Sequence, residues 1–429
     1  MPSDMQPLGD VVTLVSGSTP SKANQDFWGG TTPWISAKDM GDFWIEDSED
    51  HLTEAGLAAA SRLVPEGTIL LLARGMTLHK RVPICRVTRP STFNQDVKAV
   101  LPKNGLSPRF LPYLLIGNHD RLHERVDSAG HGTGRLNSDA LLAFPVRVPS
   151  PVEQESIADI GEGIDDRLRL LRQANATLEA IATTLFKSWF IDHKPVRAKA
   201  EGREPESMDE TTGTLFPASF EGSAIGPIPV GWRVGKLGDV CANPRGQAKP
   251  GDMPPDTPYI GLEHMPRKCI ALDSAGTAAG LESGKFWFER NDVLFGKLRP
   301  YFHKVGLAPF RGVCSTDILV LRPTEPKWLG FVAMHASSDE LISYTTQLSN
   351  GARMPRTSWH DVAAFRVAIP SDDIANAFND LVSPLFQRIY ANIATAKLLA
   401  EVRDTLLPRL INGKLRLPEC KEELREMIA

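Results

Sequence analysis

No stretch of this 429-residue chain approaches the roughly 20 consecutive apolar residues that a membrane-spanning helix needs. The opening, MPSDMQPLGD, has neither a basic segment nor an apolar core, so it does not read as a secretion signal. A cytoplasmic location with no membrane partner is the expectation. Cysteine is scarce. The five residues Cys85, Cys241, Cys269, Cys314 and Cys420 are scattered with no C-x-x-C spacing, which speaks against a zinc site or a disulfide framework and for buried free thiols. The ten histidines show no metal-ligand spacing, so no metal site is expected. An excess of positive charge is missing too. The net charge of −4 excludes a polycation but not basic groups gathered on one face.

Catalytic motifs are also lacking. There is no Walker loop, no G-x-S-x-G and no H-E-x-x-H. GHGTG at 130–134 has suggestive glycines, but it does not sit between an apolar strand and a helix with an acidic residue at the right distance. It reads as a turn or a flexible recognition loop. PPDTPY at 254–259 is not the Asn/Asp-Pro-Pro-aromatic order that grips a target amine in amino-methyltransferases. LESGK at 281–285 places Glu282 near Lys285 without an Asp to share a metal. The chain is read as non-catalytic, with no cofactor of its own.

What the sequence does contain is itself, twice. GRLNSDALLAFPVRVPS at 134–150 returns as PRTSWHDVAAFRVAIPS at 355–371. One constant shift carries Arg135 onto Arg356, Phe144 onto Phe365, Val146 onto Val367 and Pro149 onto Pro370, and also Asp96 onto Asp317 and Gly130 onto Gly351. LGDV occurs at both Leu8 and Leu237 under a slightly larger shift, as small loop insertions would produce. The period is far longer than a solenoid unit, so whole domains are duplicated. Each half starts with short β-like runs, such as GTILLLA at 67–73 and CSTDILVLRP at 314–323, separated by Gly, Pro, Asn and Asp.

Each half then changes period. Ile157, Ile160, Ile164, Leu168, Leu171, Leu178, Ile181 and Leu185 fall at helical steps, and so do Phe378, Leu381, Leu385, Ile389, Leu399, Val402 and Leu406. A long helix with a narrow apolar stripe needs a partner of similar length, and the other copy supplies one as a coiled coil. Asn175 and Asn392 lie near the seam, where a polar group fixes register at some cost in stability. The first helix is expected over 151–190 and the second over 371–415. Roughly 40 residues at ~1.5 Å each span about 60 Å. Residues 191–228, rich in Pro, Gly and charge, have linker composition. Phe216, Phe220 and Trp232 in or beside them are expected to pack on a surface.

Basic and polar groups gather at matching places. Arg74, Thr77, His79, Lys80 and Arg81 in the first half answer to Lys297, Arg299, Tyr301, His303 and Lys304 in the second. His131, Thr133, Arg135 and Asn137 answer to Ser349, Asn350, Arg353, Arg356 and Thr357. Such residues hold phosphates and read base edges, and glycines let a backbone come close. Lys22 and Lys38 in the first half, and Lys249, His264 and Arg267 in the second, complete the candidate DNA-binding set.

The order globule, VPSPVEQESIADIGEGID, TLFKSWF, IGPIPVGW, second globule and VRDTLLPRLINGK resembles the DNA-specificity subunits of type I restriction–modification systems over almost the whole chain. TPSKANQDFWGGTTPWISAKDM at 19–40 resembles the opening of that family's recognition domain; the second half keeps only the end of the pattern. The resemblance implies an α+β chain with two similar strand-rich target-recognition domains, at 1–150 and 229–370. The long helices pair antiparallel about a pseudo-twofold and set the spacer between two half-sites of double-stranded DNA, and a C-terminal tail follows at 416–429. It further implies two methyltransferase subunits carrying S-adenosylmethionine, and two motor-nuclease subunits using ATP and magnesium. Phe186, Trp189 and Phe190, at the end of the first helix, are candidates for docking a methyltransferase subunit, with core packing as the alternative. Two other readings fit part of the sequence: a self-contained restriction or methylation enzyme, and a scaffold that reads no bases.

Overall fold

The computed structural model describes residues 5–59, 62–103, 105–129, 132–349 and 354–428. The chain divides into two compact units, Met1–Arg167 with Leu398–Ala429, and Leu168–Lys397.

In the first unit the run ILLL, Ile69–Leu72, is buried at all four positions and forms the middle strand of a five-stranded sheet. A continuous apolar run suits a strand covered on both faces. Val97–Pro102 and Ile84–Val87 flank it antiparallel, Val12–Ser16 lies outside the former, and Trp44–Ile45 adds to the latter in parallel. A second sheet pairs Trp28–Ile35 antiparallel with Asp50–Leu52 and parallel with Thr92–Phe93. Met5–Pro7 pairs with Pro145–Arg147, the strand that leads into the first long helix.

The second unit repeats the plan. Cys241–Ala242, Ile318–Pro323, Val293–Gly296 and Val305–Leu307 lie in the same order as their counterparts. Pro258–Ile260 again has an antiparallel neighbour, Gly276–Thr277, and a parallel one, Gly312–Cys314. Arg233–Lys236 pairs with Arg366–Ile369, the strand before the second helix. The repeat in the sequence is therefore a repeat of topology. The second unit differs by inserting Gln247–Ala248 and Lys285–Phe288 at the edge of its outer sheet. Four of the five free cysteines are buried and Cys269 is partly so.

The first long helix runs over Pro151–Phe186 and ends in a wider turn, Lys187–Ile191. The second runs over Asp372–Ile411. In the second unit Asn175 meets Asn392, whereas Trp189 lies against Phe378 with ring centroids 5.6 Å apart, so the helices pair antiparallel. The buried positions Gln154, Ile157, Gly161 and Ile164 in the first unit advance by alternating steps of three and four. So do Asn392, Ile389, Val382, Phe378 and Ala375 in the second once the half-buried Leu385 is included. This is the 3.5 period of a coiled-coil seam. It corrects two expected pairing residues: Ile181 is 43 % and Leu381 46 % exposed, and the seam is filled by their neighbours Ala182 and Val382. Leu168, Leu178 and Leu185 continue that spacing half-buried, Ile160 is half-buried beside it, and Leu399, Val402 and Leu406 are buried. Asn392 donates its amide to Asn175 Oδ1 at 2.8 Å, so the two polar residues satisfy each other inside the seam.

Each unit fastens its globule to its helices differently. In the first, Arg109 forks onto Glu155, Asp159 and Glu162, and Arg86 reaches Glu162. Tyr113 donates to Asp165, which also takes a bond from Arg403 at 2.8 Å. The Tyr113 ring lies on Gly161, where any added Cβ would sit 2.3 Å from it. In the second, an aromatic cluster of Phe186, Trp189, Phe190, Phe331 and Phe378 does the work, with Phe190 and Phe378 edge-to-face at 4.8 Å. Phe216 and Trp232 are buried in the same core, as expected, and Phe220 packs on it partly buried. Two segments carry helices of their own. The linker carries the short helices Lys194–Ala200 and Glu210–Leu215. The C-terminal tail is the helix Leu417–Ile428, held by a bidentate Arg409–Glu423 pair at 2.6 and 2.9 Å. No helix among the described residues is long and apolar enough to cross a membrane.

Candidate nucleic-acid interface

In the first unit the middle strand leads through Ala73 into Arg74–Gly75, which pairs with Thr133–Leu136. The pairing sets Arg74 directly opposite Arg135, and Gly75 opposite Gly134. Directly opposed residues of an antiparallel pair project to one side, and like charges so placed repel. Both arginines are exposed. A bound anion would relieve that repulsion. The pair lines a recess with Gln95, Asp96, Lys98 and Ser138. The Asp96 carbonyl takes the backbone N–H groups of Ala73 and Arg74, at 2.8 and 3.2 Å, and so fixes where the arginine strand leaves the sheet.

The turn Met76–His79 follows. Leu78 anchors it in the core beneath Gly134, where an added Cβ would come within 2.7 Å of the leucine. His79 Nε2 lies 2.7 Å from the Gly132 carbonyl, and Lys80 is exposed. Other expected DNA contacts are committed to the fold. Arg81 donates to the carbonyls of Met40 and Gly41. Lys38 bridges Glu49 and Asp50, whose charges hold its ammonium above the usual lysine range despite partial burial. The Asn137 side chain caps the helix Ser138–Leu142. Lys22 sits over the rings of Trp28 and Trp34 at 5.7 and 5.4 Å. Thr133 and Gly134, expected in a turn or flexible loop, lie in the paired strand Thr133–Leu136, and Gly130 and His131 lie outside the described residues.

The second unit rebuilds the same corner with different side chains. Lys297 donates its backbone N–H to the Asp317 carbonyl at 2.9 Å, matching Arg74 and Asp96. Leu298 bridges Arg356, and Thr357 and Arg299 bond across to the same two segments. Here the arginine is neutralised: Arg356 lies 3.3 Å from the Asp317 carboxylate. Arg267 stacks on Phe302 at 4.4 Å, in the turn Pro300–Phe302. Three expected contacts are corrected. His303 is buried, with Nε2 at 2.9 Å from the Ser337 carbonyl and its other ring nitrogen 3.6 Å from Asp339. Lys304 donates to the Leu262 carbonyl, and burial, aided by Arg267, lowers its pKa. His264 accepts the Gly261 N–H at Nδ1 and shapes its own turn. Lys249 is exposed ahead of the turn Pro250–Asp252. Asn350 and Arg353 lie outside the described residues.

Phe186, Trp189 and Phe190 are 2 %, 3 % and 5 % exposed within the second unit's core. This corrects their expected docking role in favour of core packing. Gln95, Lys98, Ser138 and Met76 are the residues that sequence reading passed over. The match of Asp96 with Asp317 was the signal that could have drawn attention to the first two.

Two topologically matched globules, each with a basic corner and each continued by a long helix, define a duplicated protein. Residues 2–180 match the type I restriction modification DNA specificity domain. The specificity subunit of the type I restriction enzyme MjaIX from Methanocaldococcus jannaschii is 27 % identical over 431 residues, covering 97 % of this chain and 94 % of its own. That of EcoR124I/EcoR124II from Escherichia coli is 32 % identical over 160 residues, 37 % of this chain and 40 % of its own. The crystal structure of a type I restriction–modification S subunit from M. genitalium aligns over 95 % of both chains with a TM-score of 0.52 at 13 % identity, a likeness of fold. Residues 2–180 thus carry the features of that specificity domain, and the chain is similar over nearly its whole length to a type I specificity subunit.

Proposed function

We propose that the globules at 1–150 and 229–370 each read one half of a split DNA target, and that the antiparallel helices hold the halves at a fixed spacing. The observation that carries this reading is the repeated corner: Arg74 opposite Arg135 above Asp96, and Leu298 opposite Arg356 above Asp317. Exposed cationic groups at the corner meet phosphates and set the register of the duplex, while neighbouring side chains reach the bases. In this reading Arg135 is a phosphate contact, and so is Arg356 once DNA draws it from Asp317. Bond chemistry belongs to partners: two methyltransferase subunits with S-adenosylmethionine, and two motor-nuclease subunits with ATP and magnesium. With the aromatic trio buried, the outward-facing Ile181 and Leu381 are the better contacts for a methyltransferase subunit.

The test is a genome-wide map of methylated adenines in cells expressing this chain with its methyltransferase subunit. Two short sequence blocks separated by a constant gap are expected. A contiguous motif, or methylation independent of this chain, would overturn the reading.

A further inference from the structure

In each basic corner the turn that follows the middle strand carries a large apolar side chain that the fold pushes into solvent; the second corner adds Met354, 51 % exposed, which has no counterpart in the first. In the first unit the turn residue is Met76, 64 % exposed, directly after the Arg74–Gly75 strand. In the second it is Tyr301, 50 % exposed, two residues after Arg299. Each lies in a 3-10 turn joining the same two neighbouring strands of its sheet, Ile69–Leu72 to Ile84–Val87 and Val293–Gly296 to Val305–Leu307. The turns are built to present it. Leu78 is fully buried two residues after Met76, so the turn is anchored below and open above. Tyr301 lies edge-to-face on Phe302 at 4.9 Å, and Phe302 is itself covered by Arg267.

A single exposed apolar residue needs no explanation on most surfaces. One that recurs at the same turn of both copies, beside exposed cations and with a different identity in each, does. Basic groups alone would keep a duplex at this surface, and they are blind to sequence. Apolar side chains that touch bases do so against the thymine methyl or between base steps. We infer that Met76 and Tyr301 are base-contacting, specificity-determining residues, one for each half-site, flanked by phosphate-holding cations. Their non-identity is what two readers of different sequences require. The inference rests on the proposed reading of the basic corners as the DNA face.

The experiment uses the full chain co-purified with its methyltransferase subunits. Competition binding is measured with the mapped target and all its single-base variants, at two salt concentrations. Met76→Gln and Met76→Ala change no charge. Each is expected to lower the preference at one or two adjacent positions of one half-site on the order of tenfold. The salt dependence and the other half-site stay unchanged, and Met76→Leu retains most of the preference. Tyr301→Ser is expected to do the same in the opposite half-site. Arg135→Ala serves as the control for the face itself, lowering affinity for all targets alike with a shallower salt dependence. Should Arg135→Ala behave so while the Met76 and Tyr301 variants leave every base preference within about twofold, the apolar contact is wrong and the DNA face stands. Should Arg135→Ala also change nothing, the assignment of the face falls and the contact with it. Unchanged melting of the Met76 variants confirms that the effect is not one of folding.

Discussion

The two units solve one mechanical problem with opposite chemistry. In the first, the globule grips its helices through ions: Arg109 on three carboxylates, and Tyr113, Asp165 and Arg403 in a chain. In the second, the corresponding place is packed with Phe190, Phe331, Phe378 and Trp189. Oily packing is indifferent to salt, whereas exposed ion pairs are screened by it. Asp165 shows what the ionic solution costs. It is only 1 % exposed, and burial pushes its carboxyl above the usual range even though Arg403 and Tyr113 pull the other way. A buried pair of this kind is weak as a source of stability but expensive to break. The same contrast recurs at the basic corners, where Arg74 faces Arg135 in the first unit and Arg356 is answered by Asp317 in the second. Matched topology therefore fixes where the parts stand, and the side chains decide how firmly each globule is held and how strongly its edge attracts an anion.

That contrast can be broken from either side. The largest effect is expected for Phe378→Ala, which removes a ring packed against Phe186, Trp189 and Phe190, and should cost about 3–5 kcal/mol in chemical denaturation with little dependence on salt. Arg403→Met comes next, at about 3 kcal/mol at neutral pH, because it leaves Asp165 buried without its counter-charge. The sign with pH follows from the carboxyl's raised pKa. A protonated Asp165 needs no partner, so the deficit should shrink as pH falls through the folded-state value, and a deficit that grew on acidification would contradict the account.

Asn392→Leu should cost about 1–3 kcal/mol by stranding Asn175 in the seam. Asn175→Leu with Asn392→Leu should recover that stability, at the expense of a single register detectable by cross-linking along the helices. The smallest effect is expected for Arg109→Gln, whose partners are partly exposed. Its melting difference from the native chain should be visible at low salt and fade at high salt. The same loss at both would place Arg109 among the packing residues instead.

Much of the architecture was legible in the sequence because its signals are local. FPVRVPS and FRVAIPS mark a strand and a helix start, and the strands Pro145–Arg147 and Arg366–Ile369 lie there. The seam was read less well. Counting large apolar residues favours Ile181 and Leu381, whereas a 3.5 period with small and polar members, Gly161, Ala182, Gln154 and Asn175, selects their neighbours. The candidate site was legible only as neighbourhoods. His303 and Lys304 look free in the sequence because the carbonyls that occupy them belong to Ser337 and Leu262, far along the chain. The facing of Arg74 and Arg135 depends on a strand pairing that no local pattern encodes. Phe186, Trp189 and Phe190 read equally as surface or core until Phe216, Phe331 and Phe378 are seen to enclose them.

The central claim is that paired helices hold two readers at a set distance, and it is tested most directly by shortening both helices together. One heptad would be removed from each long helix, which keeps the seam in phase, and methylated adenines would be mapped for the native and shortened chains. The account predicts the same two half-site sequences in both maps, with a shorter gap in the second. An unchanged gap with both half-sites retained would contradict it.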